Sequence, residues 1–178
     1  MKKTPLNPKI LSTQILQFDI TDDISKVAQE KSQRLGQLKN SITKGDGNFA
    51  GYIGQAAFVK LFGGKEEDSF DYDIIHPKLG KVEVKTKRQN VNYVNLDFEG
   101  SIAEFNPNQD YDHVAFFRVN LDKKKGWFCG YTTKENFKKN SRSKKGGSLD
   151  TASSNNFEFH ADCRNIFYSQ CNREVGLK

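Results

Sequence analysis

Cysteine is scarce. Cys129, Cys163 and Cys171 are the only three in 178 residues, an odd and sparse set that cannot form a disulfide framework and that points to a reducing interior. No CxxC pair is present, and His160-x-x-Cys163 with Cys171 falls short of the four ligands a closed zinc site needs; small buried thiols are the plain expectation. Long apolar runs are missing as well. Nothing approaches the roughly 18 consecutive apolar residues of a membrane span, and the N-terminal MKKTPLNPKI carries basic residues with no apolar signal core behind it. Secretion and membrane insertion are therefore not expected, and a cytoplasmic or host-cell interior location is. There is no GxxxxGK[ST] loop and no Ser-His-Asp order with an elbow motif, so P-loop and hydrolase-triad chemistry have no support. Internal repeats and long low-complexity linkers are absent, and the length suits one domain.

What the chain does have is aromatic residues and positive charge. Fourteen Phe, six Tyr and one Trp can build a core despite the 28% of charged residues. The net charge of +6 lies wholly in the second half: residues 1–73 hold ten basic and ten acidic residues, and residues 74–178 hold 18 against 12. Within residues 118–145, Arg118, Lys123, Lys124, Lys125, Lys134, Lys138, Lys139, Arg142, Lys144 and Lys145 face only Asp122 and Glu135. Such a block suits a phosphate backbone, although a lysine run is also what an ordinary solvated loop looks like.

Apolar residues over 22–42 (Ile24, Val27, Ala28, Leu35, Leu38, Ile42, with Lys31 among them) recur at intervals of three and four and predict a long amphipathic helix, with Thr21 or Asp22 as its N-cap. A second helix is expected over 49–62, ended by Gly63-Gly64, with Gly51 and Gly54 marking a close approach of its backbone. The period then changes from 3.6 to 2. Strands are expected over 70–75 and 81–87, joined by a turn of about five residues, and again over 91–98, 113–121, 126–131, 157–160 and 166–168. Thr132 and Glu135 have capping-box spacing, which predicts a short helix over 133–140 with Phe137 inward and Lys134 and Lys138 outward. Residues 141–156, rich in Ser, Gly, Asn and Lys, read as a mobile basic loop. His76 and His113 read as turn and edge residues. The whole is one domain over 1–178, with its core at about 49–140.

The hairpin carries the chemistry. Its odd positions hold Asp71, Asp73, Glu83, Lys85 and Lys87, and its even positions hold Tyr72, Ile74, Val82 and Val84, so one face is ionic and the other apolar. If Asp73 lies opposite Glu83, Asp71 lies opposite Lys85 and four ionisable groups converge. Two carboxylates side by side repel unless a cation sits between them, and oxygen-rich sites of this kind suit Mg²⁺ or Mn²⁺. The same alternation also describes ordinary cross-strand ion pairs.

Asp73, then Glu83-Val84-Lys85 on the next strand, resembles the signature of the PD-(D/E)xK nuclease superfamily, which includes restriction and phage-type endonucleases and junction resolvases. The proline before the aspartate is absent. The helix–hairpin–strand–helix order over about 49–140 resembles the same superfamily, except that Gln55 stands where a helix usually supplies an acid. The resemblance implies an α/β restriction-endonuclease-like core: a central mixed sheet of about five strands flanked by helices. It implies a Mg²⁺-dependent endonuclease (Mn²⁺ as substitute) with Asp73 and Glu83 as metal ligands, the Val84 carbonyl as a further oxygen, Lys85 beside the attacking water, and Gln55 in an outer-sphere role. Asp71 is the alternative ligand. DNA, double-stranded or branched, is the implied partner, met by Lys87, Arg88, Lys123, Lys124, Lys125, Lys134, Lys138, Lys139, Arg142, Lys144 and Lys145; a homodimer is left open. The competing expectation is a non-catalytic nucleic-acid-binding protein, a decayed nuclease, for which Gln55 is the best support.

Overall fold

The helical spacing of the first third and the alternating spacing that follows become two helices and then a mixed sheet. The computed structural model describes residues 15–35, 46–67, 69–104, 108–149 and 158–174. Strand β1 (Leu16–Asp19) leads into helix α1 (Asp22–Leu35), whose first turn is anchored by the Ser25 N–H donating to the Thr21 carbonyl at 3.0 Å. Ile24, Ala28 and Lys31 are buried along one stripe, but Val27 is exposed, so the contact face is narrower than the spacing implied. The expected extension to residue 42, with Leu38 and Ile42, lies outside the described residues. Helix α2 (Asp46–Phe62) ends at Gly63, where φ is +87° and the N–H returns to the Val59 carbonyl at 2.8 Å.

Six strands form the main sheet. They are β1, β2 (Lys65–Glu66), β3 (Ile74–His76), β4 (Gly80–Arg88), β6 (His113–Asn120) and β7 (Lys125–Thr133), in the order β1-β7-β6-β4-β3-β2. All neighbours are antiparallel except β4 and β6, which are parallel. The expected count of about five thus becomes six, with two-residue β2 as an edge. A second sheet, β5 (Glu99–Ala103), β9 (Cys163–Phe167) and β8 (Arg142–Lys144) in the order β5-β9-β8, overlaps the expected strands only at β9, where 166–168 is the expected strand. β8 falls inside the segment expected to be a loop, and Leu149 bridges Glu158 in place of a strand over 157–160; residues 150–157 lie outside the described residues.

Residues 91–98 form no strand. The Val91 and Tyr93 carbonyls accept from the Gln89 side-chain amide at 3.0 and 2.9 Å, so a side chain takes the place of a ladder partner. Helix α3 (Lys134–Asn140) is capped by Thr133 rather than Thr132, because β7 runs on through Thr133 and its hydroxyl accepts from the Asn136 N–H at 3.0 Å.

The main sheet separates two apolar layers. On one face Val82, Val84, Phe117 and Phe128 pack under Ile24, Ala28, Ile53 and Phe58 of the two helices. On the other, Val114, Phe116, Trp127 and Cys129 pack against Phe137, Ile166 and Tyr168. Gly54 is where α2 meets β4: a Cβ there would overlap the Thr86 hydroxyl and lie 3.2 Å from Thr86 Cβ, whereas Gly51 faces open space and needs no such explanation. No helix among the described residues is long and apolar enough to cross a membrane.

Candidate functional site

The hairpin register follows the expected pairing. Ile74 faces Val82, Ile75 faces Lys81 and His76 faces Gly80, so only Pro77, Lys78 and Leu79 turn the chain. Extended by one residue, this register sets Asp73 opposite Glu83. The Asp73 N–H still donates to the Val82 carbonyl at 3.0 Å, but the strand ends there and the carboxylate turns onto β4, where Oδ2 accepts from the Val84 N–H at 2.7 Å. Oδ1 accepts from Gln55 Nε2 at 2.6 Å. Because Gly54 lets α2 sit close on β4, its neighbour Gln55 reaches the start of the hairpin.

Lys85, two residues along the same face from Glu83, donates to Glu83 Oε1. Glu83 is 5% exposed, so this ammonium is its charge partner in an interior that would otherwise hold a bare carboxylate. Burial, and then the Glu83 charge, push the Asp73 carboxyl up to about 7, against the opposing pull of Lys85, the Val84 N–H and Lys31. Burial pulls the Lys85 ammonium down, but Glu83 and Asp73 outweigh it and hold the group above the usual lysine range. Tyr111 also senses Glu83: burial, and then that charge, push its hydroxyl up to about 12.

Three members of this constellation went unread in the sequence. Lys31 of α1, 7% exposed, donates from Nζ to Gln55 Oε1 at 2.6 Å and to Glu66 Oε2 at 2.9 Å. Its signal was there, since a lysine at a position of an apolar stripe implies a buried partner. Glu66 sits on a two-residue strand and Tyr111 in a loop, and neither carries a periodicity. Asp71, the alternative ligand, precedes β3 with its N–H on Ser69 Oγ at 3.1 Å, and no hydrogen bond or ion pair joins it to Lys85 among the described residues. Of the four ionisable groups expected to converge, Asp73, Glu83 and Lys85 meet without Asp71, and the amide of Gln55 joins Asp73. His76 is a core histidine: its Nδ1 accepts from the Lys78 and Leu79 N–H groups, both at 3.2 Å, and its Nε2 lies 3.3 Å from the Phe62 carbonyl.

The basic residues divide into two groups. Lys123, Lys124 and Lys125 lie at the β6–β7 turn, where Lys124 is 3.6 Å from Asp22 and Lys125 is 2.5 Å from Asp19. Lys138 and Lys139 are exposed on α3 at the far end of β7. That strand has nine residues, so at about 3.3 Å per residue its ends stand roughly 25 Å apart. Lys134 does not point outward. It lies over the Tyr111 ring, 5.0 Å from its centroid, and donates to the Gln109 carbonyl. Arg142 pairs with Glu99 and stacks on Phe167 at 3.6 Å, Lys145 pairs with Asp162 at 2.8 Å, and Lys144 lies 5.8 Å from the Phe159 centroid. Lys144 of β8 stands in register with Cys163 of β9, and Lys87 of β4 and Lys144 both draw the Cys163 thiol down against the larger effect of burial. Arg88 is exposed at the end of β4.

The residues present fit a divalent cation of the Mg²⁺ kind. Two carboxylates share a site in which one of them ionises reluctantly, and Mg²⁺ takes one or two carboxylates while keeping much of its water. No group of three or more His, Cys, Asp or Glu able to hold a metal exists among the described residues, so an all-protein cage is not what the donor set offers. The three cysteines are buried and unpaired. Compared with models of protein families and with curated protein sequences, the chain matches none.

Proposed function

We propose that the chain is a Mg²⁺-dependent DNA endonuclease with a PD-(D/E)xK-like, restriction-endonuclease-like core, hydrolysing phosphodiester bonds in double-stranded or branched DNA. One observation carries this reading: Asp73 turns its carboxylate onto the Val84 main chain opposite Glu83, and Lys85 donates to Glu83. Asp73, Glu83 and the Val84 carbonyl would hold Mg²⁺, or Mn²⁺ in its place. Bound there, the ion supplies Lewis-acid stabilisation and a water of lowered pKa. The protein's own residues do the rest. Lys85 is a fixed positive charge at the point where negative charge grows on an attacked phosphate, a contribution of about 3 kcal/mol or more where such groups are preorganised. Gln55 and the Val84 N–H each hold one Asp73 oxygen, so the carboxylate cannot rotate away from Glu83.

A second reading, a nucleic-acid-binding protein without catalysis, is favoured by Gln55, since an amide adds no charge for a metal. Supercoiled plasmid and an oligonucleotide duplex incubated with Mg²⁺ or with EDTA separate the two. The nuclease nicks or linearises the plasmid with Mg²⁺ and not with EDTA; duplex binding with no cleavage in either would favour the binder.

A further inference from the structure

We propose that Lys31 is a positioning residue of this site, acting through Gln55 to fix the Asp73 carboxylate; the inference rests on the nuclease reading. A buried ammonium needs a counter-charge, and Glu66 at 2.9 Å supplies it. An ion pair kept only for packing would need nothing more. Lys31 makes a second, shorter bond, 2.6 Å from Nζ to Gln55 Oε1, and Tyr52, one turn before Gln55, lies 5.5 Å from the same nitrogen.

A side-chain amide has an acceptor end and a donor end, a lysine has donors only, and a carboxylate has acceptors only. Lys31 on one side and Asp73 on the other therefore dictate the same orientation: oxygen toward Lys31, N–H toward Asp73. The flipped amide would set like against like at both ends. Lys31 thus makes the amide's donation to Asp73 Oδ1 the sole arrangement, and the Val84 N–H fixes the other oxygen. α1 then belongs to the site as well as to the core.

The test compares wild type with Lys31→Met and with Lys31→Met/Glu66→Gln, the second removing both charges so that no unpaired ion stays in the interior. Each is also made in a Gln55→Ala background, and folding is checked by circular dichroism. Plasmid cleavage gives kcat and KM separately, and calorimetry with Mn²⁺ alone gives metal affinity. The expected result is a fall of about 10- to 100-fold in kcat and a weaker Mn²⁺ affinity, the usual scale for removing a group that orients a ligand, with KM little changed and no further loss once Gln55 is alanine. A folded double variant with wild-type kcat and Mn²⁺ affinity would overturn the role of Lys31 and leave the nuclease reading standing. Losses that add in the Gln55→Ala background would do the same, because Lys31 would then act by another route. A wild type that neither cleaves nor binds Mn²⁺ would overturn the nuclease reading and this proposal with it.

Discussion

Asp73 gives up its proton late because it is half-buried and because Glu83 stands opposite, and the consequence is measurable without any substrate. Its carboxyl lies at about 7 in the folded protein against 3.8 for the free side chain, so between those values the folded chain holds a proton that the unfolded chain has released. Stability from this group is therefore full below about pH 4 and is lost as the pH rises through about 7. In metal-free protein the melting temperature should fall over that window, and Asp73→Asn, which cannot ionise, should flatten the fall. Mg²⁺ should raise the wild-type melting temperature above pH 7 and leave the variant unchanged. A wild-type profile already flat in EDTA would show that the carboxylate is not confined as described.

At the level of elements, one glycine decides whether helix and hairpin can share a site. Gly54→Val should destabilise the protein by about 1–3 kcal/mol, the range for overpacking a filled interior, because its Cβ would stand against Thr86 on β4. Thr86→Ala in the same chain should return part of that loss, and urea melts of the two singles and the double give the coupling. Additive losses would mean that the contact is not shared. This contact shows what could be read beforehand. Gly54 announced a close approach, and the alternation of acids and lysines gave the Asp73–Glu83 pairing, because both follow from local chemistry that any partner must respect. The second sheet is hard to read because its strands are three to five residues long and mix polar with apolar residues, so that only the Ile166–Phe167 end of β9 has the pattern of a strand, and 91–98 forms no strand because its Tyr93 and Val91 carbonyls accept from the Gln89 and Asn120 side chains. By spacing alone Lys31 is part of a helix face, and its meeting with Gln55 and Glu66 arises only across the fold.

Over the whole molecule, the basic residues divide between the β6–β7 turn and α3 instead of forming one block. The β6–β7 turn and α3 stand about 25 Å apart, and Glu83 and Lys85, in register with Val114 and Phe116, lie level with Thr132 and Gly130, nearer the α3 end. If the chain is the proposed nuclease, affinity is spread over many cations and catalysis is concentrated in one. Lys85→Ala tests this most directly, with duplex affinity and Mg²⁺-dependent plasmid cleavage measured on the same folded preparation. One lysine among 28 basic residues contributes about one counterion's worth of binding, so affinity should stay within a few-fold while cleavage falls by about a hundredfold or more. Wild-type cleavage by folded Lys85→Ala would contradict the assignment of this hairpin as the active site.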